Sequence, residues 1–206
     1  MLPASHTGGS GRRGGGVNQM EPTRFQVKVY AKSGDIDLDK LVPVFHEWIR
    51  IKKIPDELLI DVADYAHVPQ GPGVVLIGHQ SDYYLDVADD RPGLLYSRKR
   101  GFDGDFEAGI EDAFRRALRA CQMLEAESGL QFEFETSEVL FRVQDRLRAP
   151  NEDSTYEAYE PALKKTTSTF FGNSASFERV GGPREAFAVR ISTGSSGSVG
   201  EALARA

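Results

Sequence analysis

The chain has 206 residues, of which 40% are hydrophobic and 27% are charged, and this is the composition of an ordinary soluble globular protein with one good core. Its formal net charge is −6 at pH 7. Nucleic acids and anionic membranes attract proteins through a positive surface field, so we expect neither as a partner.

Cysteine usage and the composition of both ends indicate the compartment and the domain boundaries. Cys121 is the only cysteine, so no internal disulfide can form, and we expect a reducing compartment such as the cytoplasm. Residues 1–19 and 193–206 are rich in glycine and small polar residues and offer little apolar surface to bury. We therefore predict a disordered Gly/Ser/Arg-rich tail at 1–19, a single domain at 20–192 with Met20 as its natural start, and a second disordered tail at 193–206.

The first predicted elements are a strand and a helix. Apolar and polar residues alternate over residues 24–29, which is typical of a strand with one buried face. Apolar residues then recur at helical spacing over residues 38–52 and place Trp48 on the buried stripe. His46 lies off this stripe, and we interpret it as a surface residue.

Four further strands and a long helix follow. The two nearly continuous apolar runs at residues 58–63 and 74–77 are typical of central strands that are covered on both faces. Two more strands are predicted at residues 83–87 and 94–98, on either side of a cluster of turn-forming residues. The amphipathic pattern over residues 105–127 predicts the helix.

Phe114 and Cys121 share the apolar face of that helix, where a thiol usually packs as a small core residue. Beyond it we predict a hairpin over residues 130–143, a last helix that starts at Asn151 or Ser154, and a closing pair of strands. This order contains too many adjacent strands for repeated βαβ units. The predicted fold class is therefore α+β, with a mainly antiparallel or mixed sheet flanked by about three helices.

The loop between the two apolar runs is the best candidate site. Strand ends bring polar groups out of the core while the sheet holds them in place, so we predict that any small-molecule or metal site follows Asp61, with Asp64, Tyr65 and His67 as its first residues. In an enzyme, His67 would act as acid or base and a carboxylate would orient it. The alternative is structural: Asp64 caps a turn, Tyr65 covers the sheet edge, and His67 only satisfies hydrogen bonds of the loop.

Metal binding is a second interpretation of the same segment, because residues 58–86 contain two histidines and four aspartates. The short loop predicts antiparallel strands, which would separate His79 from His67 by about 15 Å along the sheet. Asp61, Asp64 and His67 then remain as the candidate metal ligands. No cofactor follows from these residues.

Several familiar motifs are absent or out of context. The Gly-Pro-Gly sequence at residues 71–73 precedes a strand, whereas phosphate-binding glycine loops follow a strand and open a helix. No serine lies in a G-x-S-x-G elbow. Arg98, Lys99 and Arg100 lie near aromatic residues and are a weak signal for nucleic acid, and we interpret them as a solvated strand end.

The stretches LLIDVADYAHVPQGPGVVLIGH, RPGLLYSRKR and DRLRAPN resemble an uncharacterised family of bacterial proteins with no assigned activity. The resemblance covers most of the folded body and favours a bacterial cytoplasmic protein. It implies no activity, cofactor or site residue.

Two classes of function remain. The first is a noncatalytic protein-binding or assembly module whose sheet edge or hairpins engage a protein partner or form a homo-oligomer, and it is favoured because no complete catalytic set is visible. The second is a small-ligand or metal-dependent enzyme that uses residues 61–67. A stoichiometric partner or a stable oligomer would favour the first class, and bound metal would favour the second.

Overall fold

The computed structural model describes residues 24–32, 36–194 and 197–206. Their strands are β1 (Phe25–Ala31), β2 (Leu59–Tyr65), β3 (Gly73–Gly78), β4 (Ser81–Asp86), β5 (Gly93–Arg98), β6 (Phe134–Val143), β7 (Ser176–Val180) and β8 (Phe187–Ser192). Their α-helices are α1 (Leu41–Ile51), α2 (Phe106–Glu125), α3 (Asp153–Phe171) and α4 (Val199–Arg205). The strands form one sheet in the order β2-β3-β4-β5-β1-β6-β8-β7, and each neighbouring pair is antiparallel.

This architecture confirms the predicted α+β class. The sheet is antiparallel rather than mixed, and the described chain has four α-helices where about three were predicted. None of these helices is long and apolar enough to cross a membrane.

One face of the sheet carries the hydrophobic core. Helix α2 packs on β1 and β5, and α1 packs on β2 and β3. Trp48, Phe114 and Cys121 are buried between the helices and the sheet, as the helical spacing predicts. Burial raises the pKa of the Cys121 thiol well above its ordinary value, which suits an inert core residue.

Helix α4 corrects the predicted C-terminal boundary. The Ser198 side chain accepts a hydrogen bond from the backbone N–H of Glu201, and the Glu201 side chain accepts one from the backbone N–H of Ser198. Val199 and Ala202 are buried against the rest of the core. The predicted disordered tail at residues 193–206 is therefore wrong for α4, because a capped helix with two apolar anchors can dock even when its flanks are rich in glycine and serine. The tail predicted at residues 1–19 lies outside the described residues.

Two strand predictions also need correction. The predicted hairpin over residues 130–143 is instead mainly the single strand β6. Its pairing with β1 shifts register between Val29 and Ala31, and such an irregularity interrupts the alternation of side chains much as a turn does. The first strand is central rather than half-buried, since β1 lies between β5 and β6 and buries both Gln26 and Lys28.

Gly73 explains part of the Gly-Pro-Gly sequence without a ligand. Its φ of +64° lies in the left-handed region that favours glycine. A Cβ at this position would also overlap the backbone carbonyl oxygen of Leu85 on β4. The glycine is thus required by the close approach of two strands.

The start of α2 offers a local test of the fold. Asp105 is the N-cap residue, and its side chain accepts a hydrogen bond from the backbone N–H of Ala108, with an N···O distance of 2.8 Å. We expect Asp105→Ala to lower the free energy of unfolding by about 1 kcal/mol, because it removes this cap. Urea denaturation would measure the change. The control Asp103→Ala alters an exposed aspartate outside the helix, and an equal loss in both variants would contradict the capping role.

Candidate functional site

The residues of the predicted site do not form one cluster. Asp61 pairs with Ile77 and Asp64 pairs with Val74, so alternation along β2 places the two carboxylates on opposite faces of the sheet. They are three residues apart on an extended strand, which separates their Cα atoms by about 10 Å. The structure therefore does not bring Asp61 and Asp64 together, and the assignment of a metal site to Asp61, Asp64 and His67 stays a prediction.

The loop after β2 is held by its own turns. The Asp64 carboxylate accepts a hydrogen bond from the backbone N–H of Ala66 at 2.8 Å, which is the turn-capping role named as the structural alternative. The backbone N–H of Val68 donates to the carbonyl of Tyr65 at 2.9 Å. The His67 side chain is exposed and makes no hydrogen bond or ion pair with the described residues. The assignment of a ligand site to Asp64, Tyr65 and His67 stays a prediction.

The arrangement also bears on the metal hypothesis. The backbone N–H of His79 donates to the carbonyl of Leu58 at 2.8 Å, whereas the chain reaches His67 after Tyr65 pairs with Gly73 at the other end of β2. The two histidines thus lie at opposite ends of the strand pair, as the short antiparallel loop predicts. Among the described residues, no three histidine, cysteine, aspartate or glutamate side chains form a group suited to a metal ion.

The most unusual surface of the described chain is the outer edge of β2. This strand has the near-continuous apolar character of a central strand, but it is an edge strand that pairs only with β3 among the described residues. The prediction of a strand covered on both faces holds for β3 and is wrong for β2. Leu58 is 66% exposed and Ile60 is 54% exposed.

The exposed apolar side chains concentrate at this edge. Six large apolar residues are exposed in the described chain, and five of them lie on β2, next to it, or at the end of the helix packed against it. These five, which we call the β2 edge patch, are Ile51, Leu58, Ile60, Tyr65 and Val68. Exposed apolar surface that is grouped in this way is a candidate interaction surface, whereas single exposed apolar residues are common and need no explanation.

A second feature lies on the sheet face opposite the helices. It is a cleft of about 560 Å³, which we call the central cleft. Its lining combines charged and small or apolar side chains from five neighbouring strands, among them Lys28, Tyr30, Asp86, Leu95, Leu140, Arg142, Ala188 and Arg190.

Lys28 carries the most buried charge among the residues that line the central cleft. It is only 4% exposed, and its Nζ lies 2.6 Å from Oδ2 of Asp86. Beside it, the Tyr30 ring lies 5.5 Å from Lys28 Nζ and 3.8 Å from Arg91 Cζ. Burial raises the pKa of Tyr30 while the nearby Arg91 charge opposes that rise, so Tyr30 stays neutral at physiological pH. The sequence signals this arrangement only through polar residues that recur every second position in β1.

The basic segment after β5 differs from the predicted solvated strand end. Arg98 is buried and donates to Asp112 on α2, and Arg116 Nε donates to the same carboxylate at 3.0 Å. Lys99 Nζ lies 2.6 Å from Asp82. Tyr96 is buried in the core, where its hydroxyl hydrogen-bonds to Ser81, so its ring is not available to stack on a base. This segment mainly ties β5 to α2 and β4.

Comparison of the sequence with protein-family models and with curated proteins finds no match.

Proposed function

We propose that this protein is a noncatalytic protein-binding module that captures an extended segment of a partner along the outer edge of β2. The supporting observation is the β2 edge patch, which combines a strand edge that no other described strand covers with exposed apolar side chains. An exposed edge presents backbone N–H and C=O groups to an incoming strand, and alternate side chains supply specificity. Soluble proteins usually protect exposed strand edges from association with other chains. An exposed edge with apolar side chains therefore supports a role in binding a partner.

Backbone chemistry at the edge agrees with strand addition. The backbone N–H of Val62 donates to the side-chain carboxylate of its neighbour Asp61, with an N···O distance of 2.8 Å. An incoming strand would offer this donor a carbonyl oxygen instead. The Asp61 carboxylate would then be released to pair with a cation on the incoming segment.

The charges of β2 define the chemistry of the partner. Asp61 and Asp64 are exposed and form no ion pair with the described residues. Opposite charges across paired strands stabilise the pair, and like charges destabilise it. The partner segment therefore carries basic residues three positions apart, with apolar residues between them. A second copy of this chain fits less well, because self-pairing would bring four carboxylates onto two short strands.

A designed peptide tests this proposal. We expect a capped seven-residue peptide with lysine at positions 2 and 5 and valine or threonine elsewhere to bind the full chain. The same peptide with glutamate at both positions should bind at least about tenfold more weakly, which corresponds to roughly 1.4 kcal/mol. A third peptide that keeps the lysines but has a central proline should not bind, because proline removes a backbone donor from the added strand. Fluorescence anisotropy at physiological ionic strength would measure all three affinities.

Variants of the chain locate the binding surface. Ile60→Lys should weaken binding of the lysine peptide at least about tenfold, because it places a positive charge on the edge that the positively charged peptide must approach. The matched control is Leu147→Lys, which alters a side chain that is 92% exposed and lies beyond the end of β6. Equal effects of the two variants, or equal binding of the lysine and glutamate peptides, would refute the proposal. If native mass spectrometry shows that the wild-type chain is a dimer and that Ile60→Lys dissociates it, a second copy of this chain occupies the β2 edge instead of a peptide.

A further inference from the structure

The central cleft places three cations around one apolar side chain. Leu140 on β6 pairs with Lys28 on β1 and with Arg190 on β8, so these two cations flank it on the same face of the sheet. Arg142 lies two residues further along β6 and therefore on the same face. It is the diagonal neighbour of both Lys28 and Arg190, and such neighbours have Cα atoms about 7–8 Å apart.

Two of these cations have partners inside the protein. Lys28 pairs with Asp86, and Arg190 Nη1 lies 2.8 Å from Oε2 of Glu178. Arg91 at the edge of the cleft also has a carboxylate partner, because its Nη1 lies 2.7 Å from Oε1 of Glu138. The Arg142 side chain makes no hydrogen bond or ion pair with the described residues, although it is partly buried. Arg142 thus lies on the strand between those of Lys28 and Arg190, and no carboxylate of the described residues pairs with its guanidinium.

Small side chains leave room beside Arg142. Its cross-strand neighbour on the β8 side is Ala188, whereas Gln26 is its neighbour on β1, and Gly181 and Ala186 line the same end of the cleft. Leu95 and Leu140 provide apolar surface in the same cleft. A concave, partly apolar volume with a few convergent polar groups is the usual form of a small-molecule site.

We propose that the central cleft binds a small monocarboxylate with a short apolar body, whose carboxylate pairs with Arg142. A planar guanidinium matches a carboxylate through two parallel hydrogen bonds, and the unpaired Arg142 is the cation left to make them. The body of the ligand then covers Leu140 and fills the space left by Ala188. Asp89 and Glu185 also line the cleft, and their carboxylates repel a dianion such as phosphate more strongly than they repel a monoanion. This site lies on the sheet face and does not depend on the proposed role of the β2 edge.

Titration of the full chain with hexanoate tests the proposal. We expect hexanoate to bind with saturable shifts in the NMR signals of Leu140 and Ala188. Hexanol should bind at least about tenfold more weakly because it lacks the charge, and inorganic phosphate should also bind more weakly because it lacks the apolar body. Absence of saturable hexanoate binding would overturn the proposal. Phosphate binding as tight as hexanoate binding would also overturn it, since the site would then recognise only charge.

Three variants separate the two parts of the site. Arg142→Met keeps most of the side-chain volume but removes the charge, and it should weaken hexanoate binding at least about tenfold. Ala188→Leu fills the adjacent space and should weaken it similarly while Arg142 remains. The control Arg205→Met removes an exposed arginine from the last turn of α4 and should leave the affinity unchanged. Thermal unfolding of each variant establishes that it is folded, and unchanged hexanoate affinity in a folded Arg142→Met variant would refute the assignment.

Discussion

Truncation of Phe114 to alanine is expected to lower the free energy of unfolding by about 3–5 kcal/mol, the usual cost of removing a fully buried aromatic ring. Phe114 is completely buried on α2, and its ring is stacked at centroid distances of 6.2 Å from Phe141 and 6.3 Å from Phe170. The ring thus joins α2 to β6 and α3, and its loss leaves a cavity that these three elements share.

Urea denaturation followed by circular dichroism would measure this loss. The control is Leu147→Ala, because this leucine is 92% exposed and its truncation should change stability by less than about 0.5 kcal/mol. Wild-type stability of Phe114→Ala would mean that α2 presents a different face to the sheet.

Removal of one member of the buried Lys28–Asp86 pair is expected to have an effect of similar size. Lys28→Met should cost about 3–5 kcal/mol, because it leaves the Asp86 carboxylate in a largely buried position without its cation. The side chain of Asp86 is only 13% exposed. The double variant Lys28→Met/Asp86→Leu should recover most of this loss, since two apolar side chains replace the pair without an unpaired charge.

A double-mutant cycle in urea denaturation would measure the coupling between the two residues. If the losses of unfolding free energy in the two single variants simply add in the double variant, the two side chains do not interact in the folded protein. The exposed pair between Lys165 and Glu107 serves as the control, because exposed pairs contribute about 0–1 kcal/mol.

Local periodicity explains which elements could be predicted. Helices α1 and α2 place Trp48 and Phe114 on stripes that repeat every three to four residues, and this spacing alone identifies the buried face. The short connection between β2 and β3 likewise required an antiparallel pair. Each of these predictions depends on residues that are close together in the chain.

Position within the sheet could not be predicted in the same way. The runs at residues 58–63 and 74–77 look alike as sequence, but β3 lies between two strands while β2 lies at the edge. The polar residues of β1 alternate as they would on a solvated face, yet Lys28 is buried because β4 brings Asp86 to it. Both outcomes depend on which distant strands become neighbours.

The two candidate sites differ in the same way, because only one of them has a local signal in the sequence. Residues 61–67 stood out because histidine, tyrosine and carboxylates lie together in one short segment, but β2 directs Asp61 and Asp64 to opposite faces. The central cleft has no such local signal, since Lys28, Arg142 and Arg190 come from three strands that are widely separated in the chain.

By itself, the sequence determined the α+β class, the faces of the long helices, the buried state of Cys121 and the antiparallel β2–β3 pair, because these follow from spacing and short connections. Only the tertiary structure decided that β2 exposes an apolar edge, that α4 docks on the core, and that Arg142 lies near other cations while no described carboxylate pairs with it. The physical reason is that strand order and strand register are set by contacts between distant residues. Those contacts determine which polar groups are neutralised and which remain available for a partner.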